Sequence, residues 1–272
     1  MYTRDNIISR LQEHLDYALS VYDMDWFCIC LQGSFNYGMA DDESDIDSKL
    51  MVIPSLKDIV LNNKSISHTL EMPDNQEHVD VKDVRDYFKI FRKSNINFVE
   101  VLFTDYYIVN PKYEDIWREL VNKNEELARI NPYAAVSCMK GMASEKVHAL
   151  CHEYPSRMKW INQYGYDPKQ LSHLLRIEYF VKHYISGSLY KDCIYPKEKD
   201  FRNYLLKIKR TGNGLTKEEA VTAADNCFNE IKFVADNFRL TCDNENDEEL
   251  DEFLNEQMYH LISRSIKEQL HD

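Results

Sequence analysis

Apolar positions recur at helical spacing at the start of the chain and then change to strand spacing. Apolar residues return every three or four positions from about Arg4 to Val21, which predicts a first helix. The short apolar run Trp26 to Gln32 and the segment "DIDSKLMVI", Asp45 to Ile53, predict two strands. The segments "SISHTLEM" and "EHVDVKDV" both alternate around turn residues at Pro73, which predicts a strand pair.

The hydrophobic period changes again after Asp83, where helical spacing takes over. Beyond Pro111 almost all of the chain has a helical pattern. The predicted fold class is therefore α+β. A mixed sheet with flanking helices is expected over residues 1–125, followed by an all-helical domain over residues 126–272, with the boundary near residues 122–131.

Composition narrows the class of protein. The chain has 272 residues, of which 44% are hydrophobic and 12% aromatic, which indicates a folded protein with a sizeable core. Its net charge of −13 opposes broad binding to nucleic acid or anionic membrane, although a local basic groove is compatible with it. Seven cysteines without a CxxC pair indicate a reduced, cytoplasmic protein, and no apolar run approaches membrane-spanning length.

Candidate chemistry begins where the first predicted strand ends. Gly33 lets backbone N–H groups approach an anion closely, and the Ser34 hydroxyl adds a donor. Asp45 and Asp47 stand at i and i+2, so we expect them on one face of their strand, as an oxygen-rich site for Mg²⁺. The neighbouring acids are assigned to turn capping and solvent exposure; they are Asp41, Asp42 and Glu43.

A third carboxylate on a neighbouring strand would complete this site. Asp80 is the first candidate, because it lies between Val79 and Val81 and so points away from the face that buries the two valines. Asp83 is the alternative. Each piece alone is weak evidence, since Asp-x-Asp in an acidic protein is often only a solvated turn.

The ordered set of motifs resembles the DNA-polymerase-beta-type nucleotidyltransferase superfamily. That superfamily has Gly-Ser after a strand, then Asp-x-Asp, then one Asp on a later strand. The stretch "GSFNYGMADDESDID" is similar to a bacterial and phage group that includes RNA-ligase-associated nucleotidyltransferases, as are "FRKSNINFVEVLF" and "YDPKQLSHLLRIEYF". The resemblance spans about Phe27 to Gly187. It departs from the expected pattern at "DSKL", where a more apolar strand would follow the acid pair.

The resemblance implies a role for each motif residue. Gly33 and Ser34 would contact the β- and γ-phosphates of the nucleotide. Asp45 and Asp47 would bind the metal that carries the triphosphate, and Asp80 would hold a second metal and help to deprotonate the acceptor hydroxyl. The implied reaction is transfer of a nucleoside monophosphate, AMP from ATP or another NTP, with Mg²⁺ or Mn²⁺, to an RNA end, a protein or a small molecule.

A basic stripe is predicted on one later helix. Lys169, His173 and Arg176 stand at i, i+4 and i+7 and therefore share a helix face. They are candidate nucleotide-binding residues that would meet the triphosphate from the helical domain. The alternative is an ordinary solvated face.

Two functions from other classes stay open beside the enzyme. One is a catalytically idle nucleotide-binding regulatory protein, and the other is an antitoxin-like protein that binds a partner through its helical domain. The presence of all three expected carboxylates, Asp45, Asp47 and Asp80, favours the enzyme.

Overall fold

The computed structural model of the chain describes residues 2–41 and 44–270. Asp42 and Glu43, which the sequence pattern assigned to a solvated turn, lie outside the described residues. The chain divides into two compact units. Unit 1 comprises Met1–Asn36, Ala40–Asn131 and Asn246–Asp272, and unit 2 comprises Tyr37–Met39 and Pro132–Glu245.

In the described part of the chain, five strands form one mixed sheet in unit 1. They are β1 (Trp26–Gln32), β2 (Asp47–Val52), β3 (Ser67–Glu71), β4 (His78–Asp83) and β5 (Tyr107–Val109). Their order across the sheet is β3-β4-β2-β1-β5. β2 and β4 run parallel, and the other neighbouring strands are antiparallel. The α+β fold class and the predicted strand pair are confirmed.

Helices flank this sheet. The helices of unit 1 are α1 (Arg4–Val21), α2 (Leu56–Val60), α3 (Val84–Phe91), α4 (Ile96–Val99), α5 (Glu114–Asn122), α6 (Asn124–Leu127) and, near the end of the chain, α13 (Glu248–Gln269). The predicted first helix is confirmed at both ends, and Thr3 caps it, because the Thr3 hydroxyl accepts from the Asn6 N–H while the Asn6 side chain accepts from the Thr3 N–H.

One face of the sheet packs against α1. Leu11 and Leu15 of this helix join Ile29 and Leu31 of β1 in a buried apolar cluster, to which β2 and β4 also contribute. Because side chains alternate along a strand, the opposite face carries Cys28 and Cys30 of β1 together with Asp47, Lys49 and Asp80. This second face holds the candidate site and is called the site face below.

Unit 2 is helical. Its helices are α7 (Pro132–Leu150), α8 (Met158–Tyr164), α9 (Pro168–Ile185), α10 (Tyr190–Ile194), α11 (Lys199–Thr211) and α12 (Lys217–Arg239). α7, α9 and α12 pack against one another, and α11 packs on α9. Asp167 caps the start of α9 by accepting from the Lys169 N–H at 3.0 Å.

The last helix belongs to unit 1, whereas the sequence pattern predicted one helical domain from residue 126 to the end. Arg92, the C-cap residue of α3, donates to the Asp251 carboxylate at 2.6 Å, and Ser265 donates to Asp25 at 2.8 Å. Helical periodicity indicates which face of a helix is buried, but it does not indicate which element covers that face. The pattern alone therefore could not assign α13 to unit 1. Among the described residues, no helix combines the length and the apolar character that crossing a membrane requires.

Candidate functional site

The site face brings the ends of three strands together. In the antiparallel pair of β1 and β2, Gln32 lies opposite Asp47. In the parallel pair of β2 and β4, Lys49 lies opposite Asp80. The Gly33–Ser34 turn follows directly after Gln32, so backbone pairing alone places this turn beside the start of β2.

Gly33 adopts a backbone conformation that favours glycine. Its φ is +89°, and a Cβ added there would meet no atom within 4 Å. The Gly33 carbonyl accepts the Asn36 N–H at 3.0 Å, which closes the turn. The Asn36 side chain then donates to the Leu31 carbonyl at 3.0 Å and accepts from Thr104 at 2.7 Å. The turn is therefore held firmly, while open space remains around the Gly33 backbone.

The two acids of the Asp-x-Asp motif differ in setting. Asp47 is the first residue of β2, and its Oδ1 accepts the His78 backbone N–H at 3.0 Å. The His78 Nδ1 lies 3.3 Å from the same oxygen, and the Asp47 side chain is 36% exposed. Asp45 is exposed and precedes the strand instead of lying within it. The strand is thus shorter than predicted: its pairing with β1 begins with Asp47 opposite Gln32, and its pairing with β4 begins with Ser48 opposite Val79.

Asp80 lies on the site face beside a buried lysine. The Lys49 Nζ is 3.9 Å from Asp80 Oδ2, and the Lys49 side chain is 6% exposed. The same ammonium donates to the Gln32 side-chain oxygen and lies 4.8 Å from the centroid of the Phe98 ring. Sequence reasoning missed Lys49, although its i+2 spacing from Asp47 already places both on one strand face.

Asp83, the alternative third acid, serves a different purpose. It is 1% exposed and caps α3 by accepting the Arg85 N–H at 2.8 Å. Its Oδ2 accepts from Arg85 Nη2 at 2.6 Å. Both carboxylate oxygens are engaged in holding the turn between β4 and α3, so the geometry favours Asp80 over Asp83 as the acid of the site.

The donor set fits a metal ion that arrives with its own ligands. Among residues 2–41 and 44–270, no three His, Cys, Asp or Glu side chains are grouped to hold an ion by themselves. Asp47 and Asp80 nevertheless offer carboxylate oxygens on the site face. Mg²⁺ commonly takes one or two protein carboxylates and completes its shell with phosphate oxygens and water. Asp47 and Asp80 therefore offer the kind of oxygen ligand that Mg²⁺ takes alongside phosphate oxygens and water.

A buried polar network supports the start of β2 and β4 from the α1 side. The His14 Nδ1 lies 2.9 Å from Ser48 Oγ, and its Nε2 lies 3.3 Å from Glu77 Oε2. Glu77 also accepts the Ile46 N–H at 3.0 Å and a hydrogen bond from Arg10. His14 and Ser48 are fully buried, so this Ser-His-Glu arrangement is structural. His14, Ser48 and Glu77 come from three separate segments, and no sequence motif indicates that they lie together.

Burial and charge set the pKa values in this network. Burial, with a smaller effect from Arg10, holds the pKa of His14 below its usual range, against the opposing effects of Glu77 and Asp47. Burial raises the pKa of Glu77, but the hydrogen bonds from Arg10, Asn75 and the Ile46 N–H outweigh it and the net pKa is lowered. Glu77 is therefore a carboxylate and His14 a neutral imidazole at neutral pH.

The predicted basic stripe of α9 is not uniform. Lys169 is exposed, whereas Arg176 is buried, and its guanidinium lies 3.7 Å from the ring centroid of Tyr37. The Arg176 Nε has no hydrogen-bond partner among the described residues. Burial, Arg176 and nearby lysines hold the pKa of His173 well below its usual range, so His173 is neutral and adds no positive charge at neutral pH.

Comparison with known proteins gives a distant likeness. No protein-family model matches the chain, and no curated protein does. The chain is similar to the crystal structure of a nucleotidyltransferase-like protein from Exiguobacterium sibiricum 255-15, at 10% sequence identity and a TM-score of 0.31. The alignment covers 84% of this chain and 74% of that one. The residues of this chain must therefore carry the functional inference by themselves.

Proposed function

We propose that the chain is a Mg²⁺-dependent nucleotidyltransferase that moves AMP from ATP to a hydroxyl or phosphate of an acceptor. One observation carries the proposal: the Gly33 turn follows β1 beside the start of β2, Asp47 begins β2, and Asp80 lies on the same sheet face in the neighbouring strand β4. This arrangement offers backbone N–H groups to an anion and carboxylate oxygens to a metal ion. A phosphate-rich substrate that carries Mg²⁺ suits both.

Each residue has a role in this reaction. Gly33 and Ser34 would bind the β- and γ-phosphates, and Asp45, Asp47 and Asp80 would hold Mg²⁺. When bound, Mg²⁺ supplies positive charge against the triphosphate oxygens. Lys169, His173 and Arg176 stay candidate nucleotide-binding residues, with Lys169 and Arg176 providing charge and His173 a neutral hydrogen-bonding ring.

The transfer step balances as an in-line displacement. An acceptor hydroxyl oxygen forms a bond to the α-phosphorus, and the bond from that phosphorus to the bridging oxygen breaks. Pyrophosphate leaves with the bonding electron pair. The Asp80 carboxylate takes the proton of the hydroxyl. If the acceptor is a phosphate, its oxygen is already ionised and no proton has to be removed.

The test follows two labels in parallel. The protein is incubated with ATP labelled with ³²P at the α- or the γ-phosphate, with Mg²⁺ or Mn²⁺, and with fractions of a cell extract. We expect α-label in one fraction and γ-label in pyrophosphate. ATP binding without transfer in every fraction would contradict the proposal and favour the idle nucleotide-binding protein, and γ-label in the acceptor would indicate a kinase.

Two variants sharpen this experiment. Asp80→Asn is expected to bind ATP while losing most α-label transfer, because the amide cannot accept the hydroxyl proton. Asp83→Asn is the matched control, and we expect it to transfer label normally but to melt at a lower temperature, because it weakens the α3 cap and the Arg85 ion pair. The reverse pattern would assign the third acid to Asp83.

A further inference from the structure

Lys49 is an unusual residue for the middle of an acidic metal site. It is buried within β2, and its register partner across the parallel ladder is Asp80. Lysine is rarely buried unless it is paired, because removing an ammonium group from water is costly. Here the partners are Asp80 at 3.9 Å, the Gln32 side-chain oxygen and the face of the Phe98 ring.

These partners fix where the positive charge lies. Gln32 and Phe98 hold the Lys49 ammonium on the site face, next to Asp80 on the neighbouring strand and two residues from Asp47 on its own strand. A cation held mainly by Asp80 would have to share this position.

We propose that the Lys49 ammonium takes the place of one of the two metal ions, so that the site binds a single divalent ion, the one that enters with the triphosphate. The inference rests on the proposed nucleotidyltransferase function and specifies how many metal ions the site binds. Lys49 acts as a positioning residue, because it compensates the charge of Asp80 and holds that carboxylate in place. Asp45, Asp47 and the phosphates would then hold the single ion, and Asp80, which the motif gives to the second ion, pairs with Lys49 instead.

Counting bound ions tests the inference without measuring activity. Free Mn²⁺ is measured by electron paramagnetic resonance while the protein is titrated in the presence of a non-hydrolysable ATP analogue. We expect one Mn²⁺ per chain in the parent protein and in Lys49→Arg, which keeps the charge. Two Mn²⁺ per parent chain would overturn the single-ion inference and leave the proposed function intact. No Mn²⁺–nucleotide binding would overturn both.

Removal of the lysine charge should open the second position. In Lys49→Met we expect the Mn²⁺ count to rise towards two. Without nucleotide, this variant should melt roughly 5 °C or more below the parent, because the carboxylates lose their compensating charge. Millimolar Mn²⁺ should recover much of the lost melting temperature in Lys49→Met and leave the melting temperature of the parent nearly unchanged.

Lys82→Met is the matched control for this second measurement. Lys82 is also buried, and its ammonium lies 5.5 Å from the centroid of the same Phe98 ring, but it donates to Ser67. We expect this variant to lose stability without any recovery in Mn²⁺. An equal response of the two methionine variants to Mn²⁺ would overturn the inference. If Lys49→Met does not fold, the ion count of the parent protein decides alone.

Discussion

At the scale of single residues, the charge of Asp47 separates metal binding from folding. Asp47→Asn removes the charge but keeps an oxygen that can accept the His78 N–H. We expect Mg²⁺–ATP to bind roughly tenfold or more weakly. The melting temperature should stay within about 2 °C of the parent value, because the side chain is partly exposed and one repulsive carboxylate is removed. Calorimetric titration and thermal melting measure the two effects.

Asp45→Asn is the companion variant. Asp45 is exposed and lies before β2, so its substitution should leave the melting temperature unchanged. If Asp45 binds the metal as the motif predicts, the affinity for Mg²⁺–ATP should fall as it does in Asp47→Asn. If the affinity for Mg²⁺–ATP falls only in Asp47→Asn, Asp45 is not a metal ligand. If the affinity is unchanged in both variants, the proposed metal site is wrong.

Residue spacing predicted the site only in part. The i, i+2 rule places Lys49 on the same strand face as Asp47. The partner of Lys49 depends on the register between β2 and β4, which is set by pairing between segments about thirty residues apart. The role of Asp83 is local instead: it caps α3 where the hydrophobic period changes, and an Asp at such a point is itself an N-cap signal. Local sequence carries no signal for the partner of Lys49.

At the scale of elements, the buried network between α1 and β4 predicts a pH dependence of stability. Burial lowers the pKa of His14 in the folded protein below the unfolded value of 6.5. The unfolded chain therefore binds more protons as the pH falls below about 6.5, and the His14 contribution is complete above that pH and is lost below it. Glu77, whose pKa is also lowered, loses its contribution only below its unfolded value of 4.5.

Urea unfolding between pH 7.5 and pH 5.5 tests this network. The parent should lose free energy of unfolding with a slope of at most about 1.4 kcal/mol per pH unit from His14. His14→Gln keeps an amide near Glu77 but does not titrate, so its slope should be smaller. His173 is present in both proteins, so its contribution cancels when the two slopes are subtracted. Identical slopes would show that folded His14 accepts a proton as readily as the unfolded chain does.

The charge of α9 gives a second prediction at this scale. Lys169 is exposed near the start of the helix, so Lys169→Glu should weaken ATP binding, and more strongly at low salt where screening is slight. The melting temperature should change by about a degree or less. Lys232→Glu on α12 makes the same change in net charge at another exposed position and is the control. If the two variants bind ATP equally well at each salt concentration, Lys169 is a solvated residue without a role in ATP binding.

Local pattern was sufficient for elements that carry their own signals. The approximate bounds predicted for α1 from its apolar spacing, about Arg4 to Val21, agree with the structure, and its Thr3 cap lies in the same local stretch. β1 has the predicted bounds, since its apolar run ends at Gly33. β2 begins later than predicted because pairing, and not composition, decides where a strand starts.

At the scale of the whole molecule, α13 joins the N-terminal sheet unit from the far end of the sequence. Arg264 donates to the Asp115 carboxylate at 2.7 Å, and Ser265 donates to Asp25, which also accepts from Tyr113. The sheet unit is therefore built from segments at both ends of the chain. The predicted division at residue 125 was based on the change from strand spacing to helical spacing of the apolar residues. That spacing does not indicate that a helix near the end of the sequence packs on the sheet unit.

This arrangement predicts that a core substitution in α13 weakens the sheet unit. Leu261 is fully buried, so Leu261→Ala should lower the free energy of unfolding by roughly 2–5 kcal/mol through lost burial and the cavity that remains. Tyr259→Ala on the same helix is the control, because Tyr259 is 68% exposed and its removal should change stability by about 0.5 kcal/mol or less. Hydrogen exchange locates the effect: protection of β1 and α5 amides should fall in Leu261→Ala, while α9 and α12 keep theirs, because they belong to unit 2. Loss of protection in α9 and α12 with β1 unchanged would instead place α13 with the helical unit, as the sequence pattern predicted.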